Sequence, residues 1–465
     1  MASIIVENRT FDELQPGDTA TLSRTLTERD IRLFAVASGD LNPTHLRGNG
    51  KDSASLTGHA MWGASLLSGL LANELPGPGT VYRAQRIDFA RPIRIDDTLA
   101  VSVTVRSKRP EDRLIALDCR GVNQRGEIVF EGTADVVAPD VKESVTLPEM
   151  PSVAVQQHDV FEGYEAQCAG LPPLPIAVAH PCDRGSLEAV LDATREGSIR
   201  PIVVAPASRI EAIAREAGWV LDGVELVDVP HSHAAAGRAV EIVREGRASA
   251  LMKGSLHTDE LMGAIVARDG GLRTARRVSH VFIMDVPTYH KALFVTDAAV
   301  NIAPTLEEKA DIVANAVELA NALGVGTPKV AVLSAVETIN SKIATTLEAA
   351  SLCKMAERGQ IRGAIVDGPL AMDNAISRRA AEIKGIESPV AGDADILLVP
   401  DLEAGNILAK QLTFMANADA AGIVLGARVP VILTSRADSV RTRKASISVA
   451  RLLVAARSGS AAERA

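Results

Sequence analysis

The chain has 465 residues, a formal net charge of -9 and 47% hydrophobic residues, while only 3% are aromatic. At ~100–200 residues per domain this length predicts two or three domains, with aliphatic cores that suit α/β architecture. The acidic balance argues against nucleic acid as a partner. The four cysteines show no paired spacing, so we expect reduced thiols rather than a disulfide scaffold or zinc knuckle. Because no leader-like or long apolar segment occurs, we expect a cytoplasmic protein without a membrane partner.

The first strong motif is a short helix followed by a turn. A capping pattern at residues 27–30 starts the helix, and Gly39 offers its stop. The turn reads Gly-Asp-Leu-Asn-Pro-Thr-His over residues 39–45, and Pro43 restricts its backbone. A carboxylate and an imidazole in one rigid turn predict an acid/base pair, Asp40 and His45.

A buried helix and a set of strands follow this turn. Residues 58–75 are apolar on nearly every side, which predicts a helix wrapped by a sheet. Four segments at hairpin spacing then alternate as half-buried antiparallel strands do: 80–89, 98–107, 113–121 and 127–137. One buried helix with a strand meander predicts an α+β hot-dog domain.

Three motifs in this region resemble one family. Gly-Asp-x-Asn-Pro-x-His at 39–45, Gly-His-Ala at 58–60 and Pro-Gly-x-Gly at 76–79 are similar to the MaoC-like R-specific enoyl-CoA hydratases, over most of residues 10–140. The resemblance implies that Asp40 and His45 hold the water that converts trans-2-enoyl-CoA to (R)-3-hydroxyacyl-CoA. It also implies that Ser65 supports the site and that the amides between Ala60 and Gly63 face the thioester oxygen. A hot-dog thioesterase is the alternative.

The second part of the chain has a different rhythm. Residues 141–172 are rich in proline and lose periodicity, which predicts a linker between a hot-dog domain at 1–140 and a domain at 173–465. From Ile176 onward short apolar strands alternate with helices, the pattern of an α/β domain with mostly parallel sheets. Sites in such folds lie at the carboxyl ends of strands.

Several strand ends in this domain carry motifs that resemble a second family. Thr-Asp-Ala-Ala-x-Asn at 296–301, Pro-Asp-Leu-Glu-Ala-Gly-Asn at 400–406 and Ser-Arg at 435–436 look like the phosphate acetyl/butyryltransferases, over about 173–456. The resemblance implies acyl transfer between coenzyme A and inorganic phosphate without a metal or other cofactor. It implies that Arg436, with Arg273 or Arg276, binds the acyl phosphate and that Ser435 hydrogen-bonds the transferring group. Four further residues are expected to shape the pocket: Asn301, Asp373, Asn406 and Lys410.

The base of this second reaction is open at the level of sequence. Asp438 is the nearby carboxylate, but it comes earlier after Ser-Arg than the family pattern places its aspartate. Either Asp438 deprotonates the thiol, or the base lies elsewhere, or the domain only binds acyl-CoA as an oligomerising module. An aspartate in this position also suits a helix cap. We expect a bifunctional, homo-oligomeric enzyme with acyl-CoA and inorganic phosphate as its substrates.

Overall fold

The computed structural model describes residues 5–46, 56–147, 153, 159–434 and 438–462. The chain divides into two compact units, Met1–Val155 and Gln156–Ala465, and each contains its own hydrophobic core. Within the described ranges, no helix combines the length and apolar character needed to cross a membrane.

The first unit is a five-stranded antiparallel sheet with one buried helix. Its elements are β1 (Ile5–Glu7), β2 (Thr19–Thr25), α1 (Glu28–Ser38), α2 (Ala60–Asn73), β3 (Val81–Phe89), β4 (Thr98–Arg109), β5 (Leu114–Asn123), β6 (Ile128–Val137) and β7 (Ser144–Thr146). The strand order is β2-β4-β5-β6-β3, and β1 pairs separately with β7. This is the predicted hot-dog fold: a strand meander that packs on α2.

Alternation of side chains along β4 explains how the sheet covers the helix. Leu99, Val101 and Val103 are fully buried, while the residues between them are partly exposed. On the helix side Gly63 has no room for a side chain, because a Cβ there would lie 2.7 Å from Cδ1 of Ile93 and 3.0 Å from Cδ2 of Leu99. The glycine therefore lets the start of α2 approach the sheet closely.

The predicted linker at 141–172 contains ordered elements of both units. Val145 in β7 pairs with Val6 in the first unit. Helix α3 (Val160–Gln167) belongs to the second unit, where Phe161 and Tyr164 enter the hydrophobic core. The predicted linker range therefore includes one strand and one helix, and burial of the two aromatic rings stabilises that helix against the second unit's core.

The second unit is built around one eleven-stranded sheet. Its strands are β8 (Leu174–Ala179), β9 (Ile199–Ala205), β10 (Glu225–Asp228), β11 (Ala250–Lys253), β12 (Ser279–Asp285), β13 (Leu293–Thr296), β14 (Lys329–Leu333), β15 (Ile365–Leu370), β16 (Ile396–Leu398), β17 (Asp419–Leu425) and β18 (Val431–Ile432). Its helices after α3 are α4 (Arg184–Arg195), α5 (Ala207–Ala217), α6 (Ser232–Arg244), α7 (Thr258–Ile265), α8 (Leu306–Ala322), α9 (Ala344–Glu357), α10 (Met372–Ile376), α11 (Arg378–Ile383), α12 (Leu402–Met415) and α13 (Val440–Ala462).

The sheet has the order β10-β9-β8-β11-β18-β17-β12-β13-β16-β14-β15. Neighbours are parallel except for the ladders β18-β17, β17-β12 and β12-β13. The predicted α/β domain with a mostly parallel sheet is thus confirmed. Because β11 and β18 run parallel, Lys253 and the residues after Ile432 meet at one edge of the sheet, where a ligand site is expected.

Candidate active sites

The first candidate site begins where α1 ends. Thr27 and Asp30 form a capping box at the start of the helix, and Gly39 ends it in the left-handed conformation with φ 72°. This conformation favours glycine. The turn is then closed by an Asx bond, in which the Asn42 backbone N–H donates to Oδ1 of Asp40 at 3.2 Å. The other carboxylate oxygen of Asp40 is left for a second partner.

That second partner is His45, whose tautomer follows from its hydrogen bond. Nδ1 of His45 lies 2.7 Å from the carbonyl oxygen of Thr57. A carbonyl only accepts, so Nδ1 carries the proton and Nε2 presents its lone pair. Nε2 lies 3.8 Å from Oδ2 of Asp40, too far for a direct hydrogen bond but close enough for one water molecule to contact both atoms. The structure brings the two predicted residues together.

A second histidine, His59, lies against the pair and has no role in the sequence prediction. Its ring centroid is 4.0 Å from that of His45. Nε2 of His59 is 3.1 Å from the backbone oxygen of Asp40 and 3.9 Å from Oδ2 of the same residue. The side chain is only 2% exposed. Its position in the motif directly before the buried helix was the available signal.

Asp40, His45 and His59 also form a group whose potential ligand atoms lie within 4.8 Å of one another. A metal would need the lone pair of Nε2 on His59, yet this nitrogen must carry a proton to donate to the Asp40 carbonyl. Moving that proton to Nδ1 would bury it, because Nδ1 finds no hydrogen-bond partner among the described residues. The arrangement favours water between Asp40 and His45 over a metal ion.

The other predicted residues of this site lie on α2. Ala60 is its first residue, and the preceding His59 makes no side-chain cap to the first-turn amides in the described part of the chain. Such amides favour an oxyanion. Gly63 is buried against the sheet. Ser65 is exposed and its hydroxyl donates to the Trp62 carbonyl of its own helix at 2.7 Å, so its supporting role stays a prediction.

The second candidate site is a cavity of about 750 Å³ at the carboxyl ends of β11 and β18. Asn406 and Lys410 reach it from α12, and Asp438 reaches it from the segment before α13. Asn406 is held by a 3.2 Å hydrogen bond from Nδ2 to the carbonyl of Ala298. Ser435 and Arg436 lie outside the described residues, between Thr434 and Asp438, both of which line the cavity.

The start of α13 lies near the cavity. For Asp438, which precedes it, the sequence could not distinguish a helix cap from a catalytic base. The Thr442 backbone N–H donates to Oγ of Ser439 at 3.1 Å, so Ser439 caps this helix. Asp438 precedes the cap and lines the cavity. The side-chain cap seen at α13 is thus that of Ser439, and the role of Asp438 as a base stays a prediction.

Four predicted pocket residues are not among those that line this cavity: Arg273, Arg276, Asn301 and Asp373. Asn301 is buried and its Nδ2 donates to Asp297 and to the Val278 carbonyl, so its predicted pocket role stays a prediction. Asp373 is half exposed and pairs with Lys384 at 3.1 Å. Arg276 pairs with Glu318 at 2.6 Å, and Arg273 is exposed beside Ala427, with which it forms a backbone bridge. Asn301, Asp373 and Arg276 thus each contact another residue of the second unit.

Lys253 and His280 are two buried residues among the cavity residues that had no predicted role. Lys253 is 3% exposed, and its Nζ lies 3.4 Å from the carbonyl oxygen of Thr434. His280 is 1% exposed, and burial lowers its pKa to about 4 although Asp297 opposes this change. His280 is accordingly neutral at pH 7. Lys253 forms part of the cavity wall next to Thr434, the residue that precedes Ser435 and Arg436.

The fold and the two candidate sites define a class of protein. It combines a hot-dog domain with an α/β domain, and each domain contains its own polar candidate site. Comparison with known proteins agrees, because the family model described as "MaoC like domain" matches residues 14–120. The model described as "Phosphate acetyl/butaryl transferase" matches residues 233–450.

The chain belongs to the phosphate acetyl/butyryltransferase family and also carries a MaoC-like domain. It is 62% identical over 285 residues to a phosphate acetyltransferase of Rhizobium meliloti, covering 61% of this chain and 90% of that relative. A branched-chain phosphotransacylase from Enterococcus faecalis V583 is 33% identical, with a TM-score of 0.53 over 60% of this chain and 98% of its own. R-hydratase PhaJ1 from Pseudomonas aeruginosa is 36% identical over 33% of this chain and 99% of its own, with a TM-score of 0.31.

Proposed function

We propose that the second unit transfers acyl groups between coenzyme A and inorganic phosphate. The observation that carries this proposal is the cavity at the carboxyl ends of β11 and β18, which is lined by Lys253 and by the exposed, positively charged Lys410. Cationic side chains in a partly enclosed site bind the charges of phosphate more strongly than they would in open water. The names of the relatives support the same reaction.

The reaction needs no reactant beyond its two substrates. In the direction of acyl-CoA synthesis, the thiolate of coenzyme A attacks the carbonyl carbon of the acyl phosphate, the C–S bond forms, and phosphate leaves with the electrons of the C–O bond. The thiol must first lose its proton. Asp438 is our proposal for the base because it is a carboxylate residue that lines the cavity directly after the Ser435–Arg436 motif.

The test is phosphate-dependent formation of acyl phosphate from acetyl-CoA or butyryl-CoA by the full chain. We expect Arg436→Ala to abolish it, since this side chain is the predicted partner of the acyl phosphate. Calorimetric binding of acetyl-CoA without any phosphate-dependent turnover would instead favour a non-catalytic binding module.

We infer that the first unit hydrates trans-2-enoyl-CoA to (R)-3-hydroxyacyl-CoA. The supporting observation is the 3.8 Å separation between Nε2 of His45 and Oδ2 of Asp40, two acceptors that face each other. A water molecule between them can donate one hydrogen to each. As its oxygen bonds to C3, one group takes a proton, and C2 receives a proton from the pair, so the product contains one added water.

The amides at the start of α2 have a complementary role in this proposal. Negative charge develops on the thioester oxygen as the hydroxyl adds, and unpaired N–H groups at a helix start stabilise such charge. Ala60 and Gly63 lie in this first turn. The donors therefore act mainly in the transition state.

Loss of crotonyl-CoA absorbance on mixing with the full chain tests the hydratase. Asp40→Asn should remove the activity, whereas Asp12→Asn, at an exposed turn of the same unit, is the matched control. Unchanged absorbance with wild type would contradict the proposal. Release of free thiol from a saturated acyl-CoA would support the thioesterase alternative instead.

A further inference from the structure

His59 combines features that the hydration chemistry above does not use. It is buried, it directly precedes α2, and Nδ1 has no hydrogen-bond partner among the described residues although its atoms are shielded from water. A buried polar atom without a partner costs free energy. An imidazole at this position is explained if its other nitrogen, Nε2, makes a hydrogen bond that an apolar side chain could not make.

We propose that His59 is a positioning residue that holds Asp40 at its working distance from His45 by donating from Nε2 to the Asp40 backbone oxygen. The inference rests on the proposed hydratase function. The donor–acceptor distance is 3.1 Å, within the normal range for such a bond. The ring also packs between His45, at 4.0 Å, and Phe34, at 5.1 Å.

Asp40 gains from such support because its own other hydrogen bonds are local, although His45 and Thr44 at the far end of the turn contact Thr57. The side chain of Asp40 is 46% exposed. Its backbone N–H donates to Oγ of Ser38 and its carboxylate accepts from the Asn42 N–H, both only two residues away along the chain. These two bonds shape the turn but do not attach Asp40 to the rest of the unit. The bond from His59 spans 19 residues and does so.

His59, the donor of this hydrogen bond, is itself held in place by the backbone contacts of its neighbours. The Gly58 N–H donates to the Ile93 carbonyl at 2.7 Å, and a Cβ at Gly58 would lie 2.4 Å from Cδ2 of Leu26. The His59 carbonyl accepts from the Trp62 N–H at the start of α2. One side chain thus links the acid/base turn to the helix start whose amides face the developing oxyanion. It holds Asp40 to this helix start, while the bonds of Thr44 and His45 to Thr57 hold the other end of the turn.

The expected consequence is a loss in turnover rather than in binding. Misplacement of a catalytic group by about 1 Å can cost on the order of 10²-fold in rate. Substrate still contacts α2, so KM should change little. A purely structural residue would instead affect stability and both kinetic constants together.

Two amide substitutions at His59 distinguish the effect of losing its hydrogen bond to Asp40 from the effect of losing the imidazole ring. Gln places its N–H as many bonds from Cβ as Nε2 of histidine, whereas Asn is one bond shorter and does not reach Asp40. We expect His59→Gln to keep kcat within about fivefold and His59→Asn to lose about 10- to 100-fold, with KM nearly unchanged in both. Acyl phosphate formation and circular dichroism check that each variant is folded.

Equal kcat in the two variants, whether both are like wild type or both are inactive, would overturn the inference. So would loss of wild-type hydration in a chelator with recovery on adding Zn²⁺, because His59 would then act as a metal ligand. Failure of wild type to hydrate crotonyl-CoA contradicts the proposed function itself. The two failures are therefore distinguishable.

Discussion

The two candidate sites are assembled in different ways. Asp40 and His45 come from one turn after α1, and the helix that completes their site follows closely in the sequence. The cavity of the second unit is instead lined by residues from separate parts of the chain, among them Lys253, Asn406 and Asp438. A local turn fixes its geometry through bonds between near neighbours, whereas a strand-end site depends on the order of strands in the sheet. Substitutions should therefore act differently in the two units.

The largest expected effect is the separate loss of each activity. Asp40→Asn should reduce hydration by about 10²- to 10⁴-fold through loss of an acid/base group. Arg436→Ala should abolish acyl phosphate formation. Each variant should keep the other activity, because each unit has its own hydrophobic core. Parallel assays of both activities on both variants check this, and joint loss in either variant would break the comparison.

A smaller but still large effect is expected at the proposed base. Asp438→Asn should lower kcat for acyl transfer by about 10²- to 10⁴-fold, since the amide cannot accept the thiol proton. The rate loss should shrink at high pH, where coenzyme A ionises without help. Asp269→Asn, at an exposed turn, is the control. A wild-type rate in Asp438→Asn would move the base to another residue.

The acid/base turn was predictable because its evidence is local. Gly39, Asn42 and Pro43 specify one backbone path, and that path brings Asp40 to His45. The role of His59 was not predictable, since its bond to Asp40 depends on how α2 packs on the sheet. The fold class followed from hydrophobic periodicity, while α3 was missed because two aromatic residues in a proline-rich stretch give a weak periodic signal.

In the second unit the sequence motifs predicted less well which residues line the cavity. Asn406, Lys410 and Asp438 line the cavity, and their roles in binding and catalysis stay predictions. Asn301 and Asp373 do not line it, because a motif shows which residues follow a strand but not which of them point to the ligand. Asn301 is used by Asp297 and Arg277 instead. Ser435 and Arg436 stay predictions because they lie outside the described residues.

Asn301 offers a test of this correction through stability. Its Nδ2 donates to Oδ2 of Asp297 and its Oδ1 accepts from Nε of Arg277 at 2.7 Å. Asn301→Ala removes one hydrogen bond from the buried Asp297 carboxylate and one from the exposed Arg277, which should lower the free energy of unfolding by about 1–3 kcal/mol. Denaturant unfolding measures it, with the exposed Asn321→Ala as control. A large rise in the phosphate KM without loss of stability would restore the predicted pocket role.

The smallest effect is expected for Asp373. Its carboxylate is 54% exposed and pairs with Lys384, which holds the pKa of Asp373 below its usual range, and it is not among the residues that line the cavity. Asp373→Asn should therefore leave kcat and the phosphate KM within about twofold of wild type, as exposed substitutions usually do. Asn406→Ala is the matched contrast, because its side chain lines the cavity and bonds to Ala298. If Asp373→Asn raised the phosphate KM as much as Asn406→Ala, phosphate would bind outside this cavity, and the acyl-transfer site would have to be placed elsewhere on the sheet.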